Sequence, residues 1–184
     1  MKETCAGSQT VGPFFRIGLE HLCAQPDAPP SPDALTIHGR VLDGAGHPVP
    51  DALLELWSAD HHGKYATQAP DPPQWAPPGF VRVASDEAGC FRFHLLKPGQ
   101  VDMGDGRMQA PHAVVLVFAR GLLRHLITRM YFPGEAANDA DPVLQSIPPE
   151  RRATLIPQQD PANPASLQWH IRLQGEEETV FFAW

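Results

Sequence analysis

Nine histidines and two tyrosines are the residues of this 184-residue chain best suited to chemistry. Imidazole and phenolate groups hold hard or borderline metal ions, ferric iron among them. His61 and His62 are adjacent, and adjacent residues on a strand point to opposite faces, so they could chelate together only from a turn. Asp60 and Gly63 on either side supply turn chemistry, and solvated turn histidines are the simpler reading. Tyr65, in the same HHGKY segment, could offer a phenolate to a ferric ion or simply cover the edge of a core. His112 stands after Pro111 at the mouth of an apolar run, and the residue sharing its strand face two positions on is Val114. A two-histidine site would need a histidine there.

Other chemistries lack their residues. No G-x-S-x-G turn presents a serine nucleophile, and neither G-x-G-x-x-G nor G-x-x-x-x-G-K-[ST] occurs to cradle a phosphate. Cys5, Cys23 and Cys90 are an odd number without C-x-x-C spacing, which argues for reduced thiols over a disulfide framework or a zinc site. The formal charge is -7 with no basic cluster beyond Arg151 and Arg152, so nucleic acid is not an expected partner. No stretch of about 18 apolar residues offers a membrane span, and no basic-then-apolar leader opens the chain, so a cytoplasmic location is expected.

The elements that must position these residues are strands. With 21 Pro and 15 Gly, the chain has little room for long helices. Residues 1–33 read as an N-terminal arm carrying Val11, Phe14, Phe15, Ile17 and Leu19, ended by the proline-rich AQPDAPPSPD linker and packed on the body or on a partner. Residues 34–184 read as one domain. ALTIHGRVL and ALLELWSAD flank a turn-prone DGAGHPVPD, and FVRVASD and CFRFHLL flank Glu87–Gly89, so two hairpins are expected. The proline-dense stretch 69–79 reads as a long surface loop. AVVLVFA at 113–119 reads as a strand covered on both faces, pairing with HLITRMYF across the 120–124 turn. PPERRATLI is the one plausible helix, followed by the strand SLQWHIRLQ. The expected class is all-β: a single-domain β-sandwich with at most one or two short helices, transthyretin-like and immunoglobulin-like forms being inseparable by pattern.

Six segments in order, SQTVGPFF, VLDGAGHPVPDALLELWSADHHGKY, CFRFHLLKPG, APHAVVLVFARG, ITRMYF and QGEEETVFF, resemble the intradiol aromatic-ring dioxygenases over most of the chain. The S-Q-T-x-G-P start, the F-A-R-G after the central strand and the GEEETVFF tail are similar to the family's alpha-type chains, which pair with an iron-bearing beta-type chain. In the catalytic chains of the family, two tyrosines and the two histidines of an H-x-H pair hold a ferric ion. That ion binds a catechol dianion while oxygen is inserted between the hydroxyl-bearing carbons.

Carried onto this sequence, the resemblance keeps the first tyrosine as Tyr65 and the first histidine as His112. The second tyrosine falls on Val101, the second histidine on Val114, and the arginine three positions before the histidine pair on Gln109. It therefore implies no functional iron in this chain, and Fe(III) held by the partner beta-type chain of a hetero-oligomer. Thr10, Gly12, Pro13 and Arg120 are implied to line that partner's pocket, where a small aromatic diol and O2 react. An arginine suits the carboxylate of protocatechuate. The arm, Trp184 and the aromatic tail are then expected to bury against the partner. Two rival readings remain: a self-sufficient dioxygenase with substituted ligands such as His61, His62 or Asp102, and a transthyretin-like carrier or adhesion module.

Overall fold

The computed structural model describes residues 7–23, 34–66 and 79–183; Cys5, the 24–33 linker, most of the 69–79 stretch and Trp184 lie outside them. The strands are β1 (Ala34–Leu42), β2 (Leu53–Ser58), β3 (Phe80–Ala84), β4 (Cys90–Leu96), β5 (Val101–Asp102), β6 (Met108–Gln109), β7 (His112–Phe118), β8 (Leu126–Tyr131), β9 (Gln158–Asp160), β10 (Asn163–Gln168) and β11 (Ile171–Arg172). Helical segments are short: α1 (Pro13–Leu19), α2 (Pro142–Gln145) and α3 (Pro149–Arg152), with 3-10 turns at Glu20–Leu22, Ala136–Ala140 and Ala153–Leu155.

Period-two alternation builds a sandwich from these strands. One sheet runs β3-β2-β7-β8, all antiparallel. The other centres on β1, which pairs antiparallel with β4 and parallel with β10 and β11, while β9 flanks β10. Leu54, Leu56, Val115 and Val117 of the first sheet meet Ile37, Phe91, Phe93 and Leu167 of the second in one buried core. A second cluster of Ala110, Tyr131, Leu144, Ile147 and Leu155 forms where the 136–156 segment covers the end of β8. The fold is the all-β sandwich that the strand pattern predicts.

Several local expectations are corrected. Neither predicted hairpin forms, because β1 and β2 lie in opposite sheets, as do β3 and β4. The turns themselves do form: Asp43 Oδ1 accepts from the N–H groups of Ala45 and His47, and Asp86 Oδ1 from those of Ala88 and Cys90. Both sheets turn an apolar face inward, so alternation tells that a strand faces the core and leaves its sheet open. β7 is an interior strand whose Ala113, Val115 and Val117 are fully buried, but Val114, Leu116 and Phe118 on its other face are only half covered. The SLQWHIRLQ segment breaks into β10 and β11 at Trp169–His170.

The third α-helical segment exceeds the one or two expected. α3 lies within PPERRATLI, α2 starts on Asp141-Pro142, and α1 falls in the arm, with Pro13 at its first helical position.

Gly39 fixes how closely β1 meets the break between β10 and β11. A Cβ there would lie 1.6 Å from the Trp169 carbonyl oxygen. The Trp169 N–H donates to His38 O at 2.9 Å, and the Arg40 N–H donates to His170 Nδ1 at 3.1 Å. Gly39→Ala is therefore expected to cost about 3 kcal/mol, because backbone on both sides must shift. Urea unfolding checks it: the midpoint should fall at unchanged slope, and a loss below about 1 kcal/mol would mean that the edge yields easily.

Candidate functional site

Tyr65 reaches the end of β7 from the turn that follows β2. Asp60 Oδ1 accepts from the N–H groups of His62 and Lys64, at 2.8 and 2.9 Å, and Gly63 takes the left-handed φ of 75°. A Cβ on Gly63 would lie 1.8 Å from Gln100 O, so the turn is pressed against the segment that leads into Val101. His61 and His62 contact each other in solvent, ring centroids 3.7 Å apart and planes tilted by 44°. Asp102 accepts from the N–H of Gly104 in its own turn, and among the described residues no cluster of three His, Cys, Asp or Glu could hold a metal.

From that turn the Tyr65 hydroxyl meets His112 Nε2 at 3.3 Å. His112 Nδ1 lies 2.7 Å from Ala110 O, so the Nδ1–H donates to that carbonyl and Nε2 is left to accept the phenol proton. Burial, then the Arg129 charge, push the imidazole below its ordinary pKa, against the Ala110 carbonyl and Asp141, which raise it. Burial pushes the Tyr65 phenol up, and Arg129 offsets part of that rise. Both groups are thus held neutral, as a hydrogen-bonded pair.

The other two positions singled out in the sequence lie close by and are apolar. Val114 shares the face of His112 and stands opposite Arg129 of β8, while Val101 stands opposite Gln109 in the β5–β6 pair. Arg129 joins the two: its Nη1 donates to Gln109 Oε1 at 2.5 Å and lies 3.5 Å from the Tyr131 hydroxyl. Tyr131 OH in turn donates to Asp141 Oδ1 at 3.0 Å, and Asp141 Oδ2 accepts from the buried Ala110 N–H at 2.8 Å. Sequence reasoning missed Arg129, Tyr131 and Asp141. Asp141-Pro142 carried a helix-start signal, and Arg129 was a charge inside an apolar strand, but their convergence needs the strand register.

A second constellation lies at the other end of β7. Thr10 Oγ1 accepts from the Gly121 N–H at 2.7 Å, tying the arm to the turn that carries Arg120. Phe15 packs on Phe118 with ring centroids 5.3 Å apart, and Arg16 pairs with Asp51 at 3.4 Å. Gly12 stands at the N-cap of α1 with Pro13 behind it, both exposed. Beside them opens a cavity of about 600 Å³, lined by Val11, Leu122, Leu123, His125 and Phe182 among others. Arg120 is exposed, with no ion pair among the described residues. Phe14, Ile17 and Leu123 are exposed apolar residues at 82%, 53% and 64%.

The structure thus ties Thr10 to Gly121, next to Arg120, and Tyr65 to His112, and keeps the two places apart. Residues 113–119, all but the last of them in β7, separate His112 from Arg120, roughly 25 Å. Whatever Arg120 and the arm bind, it is not held by Tyr65 and His112 of the same chain.

Comparison with known proteins agrees with the resemblance seen in the segments. The family model described as "Dioxygenase" matches residues 18–175. The chain is 39% identical to the protocatechuate 3,4-dioxygenase alpha chain of Burkholderia cepacia over 191 residues, 95% of each chain. It is 30% identical over 155 residues to the protocatechuate 3,4-dioxygenase beta chain of the same organism, covering 82% of this chain and 65% of that one. Among solved structures it is similar to the dioxygenase domain of a carbohydrate-binding fusion from Streptomyces sp. SirexAA-E, with TM-score 0.58 and 27% identity over 83% of this chain and 93% of that one. Matched over most of its length by the family model, and nearly end to end by an alpha-chain relative, the chain belongs to the intradiol dioxygenase family.

Proposed function

We propose that this chain is the alpha-type, non-iron subunit of a protocatechuate 3,4-dioxygenase, completing the pocket of a beta-type chain that binds Fe(III). The pair cleaves protocatechuate with O2 between its two hydroxyl-bearing carbons to 3-carboxy-cis,cis-muconate. The observation that carries this reading is the separation along β7. The arm and Arg120 form a corner open to a partner, remote from the chain's own Tyr65–His112 pair.

The pocket around His112 does not fit a ferric ion. It offers one phenol and one imidazole hydrogen-bonded to each other, two valines where oxygen and nitrogen donors would be needed, and a guanidinium among them. No step of the reaction is therefore assigned to it. At the other end, the exposed Arg120 guanidinium suits a carboxylate, the one anionic substituent that distinguishes protocatechuate from catechol. Gly12 lets the arm backbone approach a ligand closely, and Thr10 holds the arm to the Arg120 turn. The exposed Phe14, Ile17 and Leu123 provide the apolar surface that a lasting subunit contact buries.

Coexpression with a beta-type chain tests the assignment. About one iron per alpha–beta pair and protocatechuate-dependent oxygen uptake are expected only when both chains are present. Iron and activity in this chain alone would restore the self-sufficient reading, and failure to associate with the beta-type chain would leave a binding module.

A further inference from the structure

We infer that Arg129 is the residue that bars metal from this chain's own pocket: its guanidinium stands in the place of the cation, so restoring the missing donors is not enough to restore iron binding. This extends the proposed function, which rests on the chain being iron-free, by naming what keeps it so.

The positions around Arg129 support it. Its strand register sets it opposite Val114, on the face that also carries His112. Its Nη1 contacts Gln109, which stands opposite Val101. Its charge acts on Tyr65, His112 and Tyr131 alike, so the guanidinium lies within electrostatic reach of both donors that remain. The residue is 7% exposed, in surroundings where like charges repel far more strongly than in water. A lysine or histidine in its position could shed a proton to admit a metal, but an arginine cannot.

Arg129 also has a reason to stay. Asp141 is fully buried, and Tyr131 links its carboxylate to the guanidinium. Tyr131 thus bridges the cation and the buried carboxylate in one hydrogen-bonded chain. The arginine expected at position 109 is absent, and a guanidinium from β8 points at the residue that replaced it. The pocket has become a hydrogen-bonded polar plug in which a fixed organic cation replaces an exchangeable metal.

The test compares four proteins expressed without a partner and loaded with ferrous iron in air: the natural chain, R129Q, V101Y/V114H and V101Y/V114H/R129Q. Glutamine keeps a neutral donor for Gln109. Iron per chain and the visible tyrosinate-to-iron absorption are read on fractions with native circular dichroism. The double variant is expected to hold less than about a tenth of an iron, and the triple variant close to one. Equal iron in the double and triple variants overturns the inference, as does a folded triple variant without iron. Iron in the natural chain would instead defeat the iron-free reading of this subunit. Should the triple variant not fold, V114H and V114H/R129Q, which restore only the histidine pair, are titrated with cobalt(II). At least tenfold tighter binding without Arg129 is expected, and equal affinity overturns the inference.

Discussion

Replacing Asp141 with alanine is expected to cost the fold about 3–5 kcal/mol, the largest loss from any single truncation outside the apolar core. Four donors converge on this fully buried carboxylate: the Ala110 N–H at 2.8 Å, the Tyr131 hydroxyl at 3.0 Å, and the Val143 and Leu144 N–H groups at 2.9 and 2.7 Å. The last two make Asp141 the N-cap of α2, and removing such a cap costs about 1 kcal/mol. Ala110 and Tyr131 are buried as well, so each loses its acceptor where water cannot replace it, about 1–3 kcal/mol apiece. Alanine also leaves Arg129 without the buried anion to which Tyr131 links it.

The measurement is urea unfolding of the purified chain, with thermal unfolding as a second probe and a drop of roughly 10 °C expected. Asp141→Asn separates the contributions. Its amide oxygen can still cap α2, but its NH2 would face the Ala110 N–H donor to donor, so an intermediate loss is expected. A loss under about 1 kcal/mol for the alanine variant would show that water enters and satisfies the four donors.

How much of this was legible in the sequence depends on what each feature requires. The strands of the core were legible because alternation is a property of one strand at a time: Phe91 and Phe93, or Leu54 and Leu56, announce their inward face unaided. Sheet membership was not, because β1 and β2 carry the same inward pattern from opposite sheets. The turn at Asp43 looks the same whether the chain folds back or crosses over. Val101 and Val114 could be singled out position by position against a known motif. Arg129 could not, since its proximity to both valines and to Gln109 exists only through two separate strand pairings. The distance between the two constellations was within reach, because His112 and Arg120 bracket a single uninterrupted strand.

The second large effect is expected at Arg120, measured in the assembled enzyme because the proposed pocket exists only there. In the proposed assembly the partner would cover and partly dehydrate this exposed guanidinium, and a charge-assisted hydrogen bond to a carboxylate would then contribute about 1.5–3 kcal/mol. Arg120→Ala is accordingly expected to lower kcat/KM for protocatechuate by roughly 10- to 150-fold, mostly through KM if the carboxylate is held equally in ground and transition states. Arg120→Lys keeps the charge but loses the two-pronged geometry, and should recover only part of the loss. Catechol lacks the carboxylate, so any turnover of it should be nearly indifferent to the substitution. Equal losses on both substrates, or an assembly that falls apart, would make Arg120 a structural residue of the interface. A loss confined to protocatechuate would locate the carboxylate at the Thr10-anchored corner and show that a substrate held by one chain is reacted on the iron of the other.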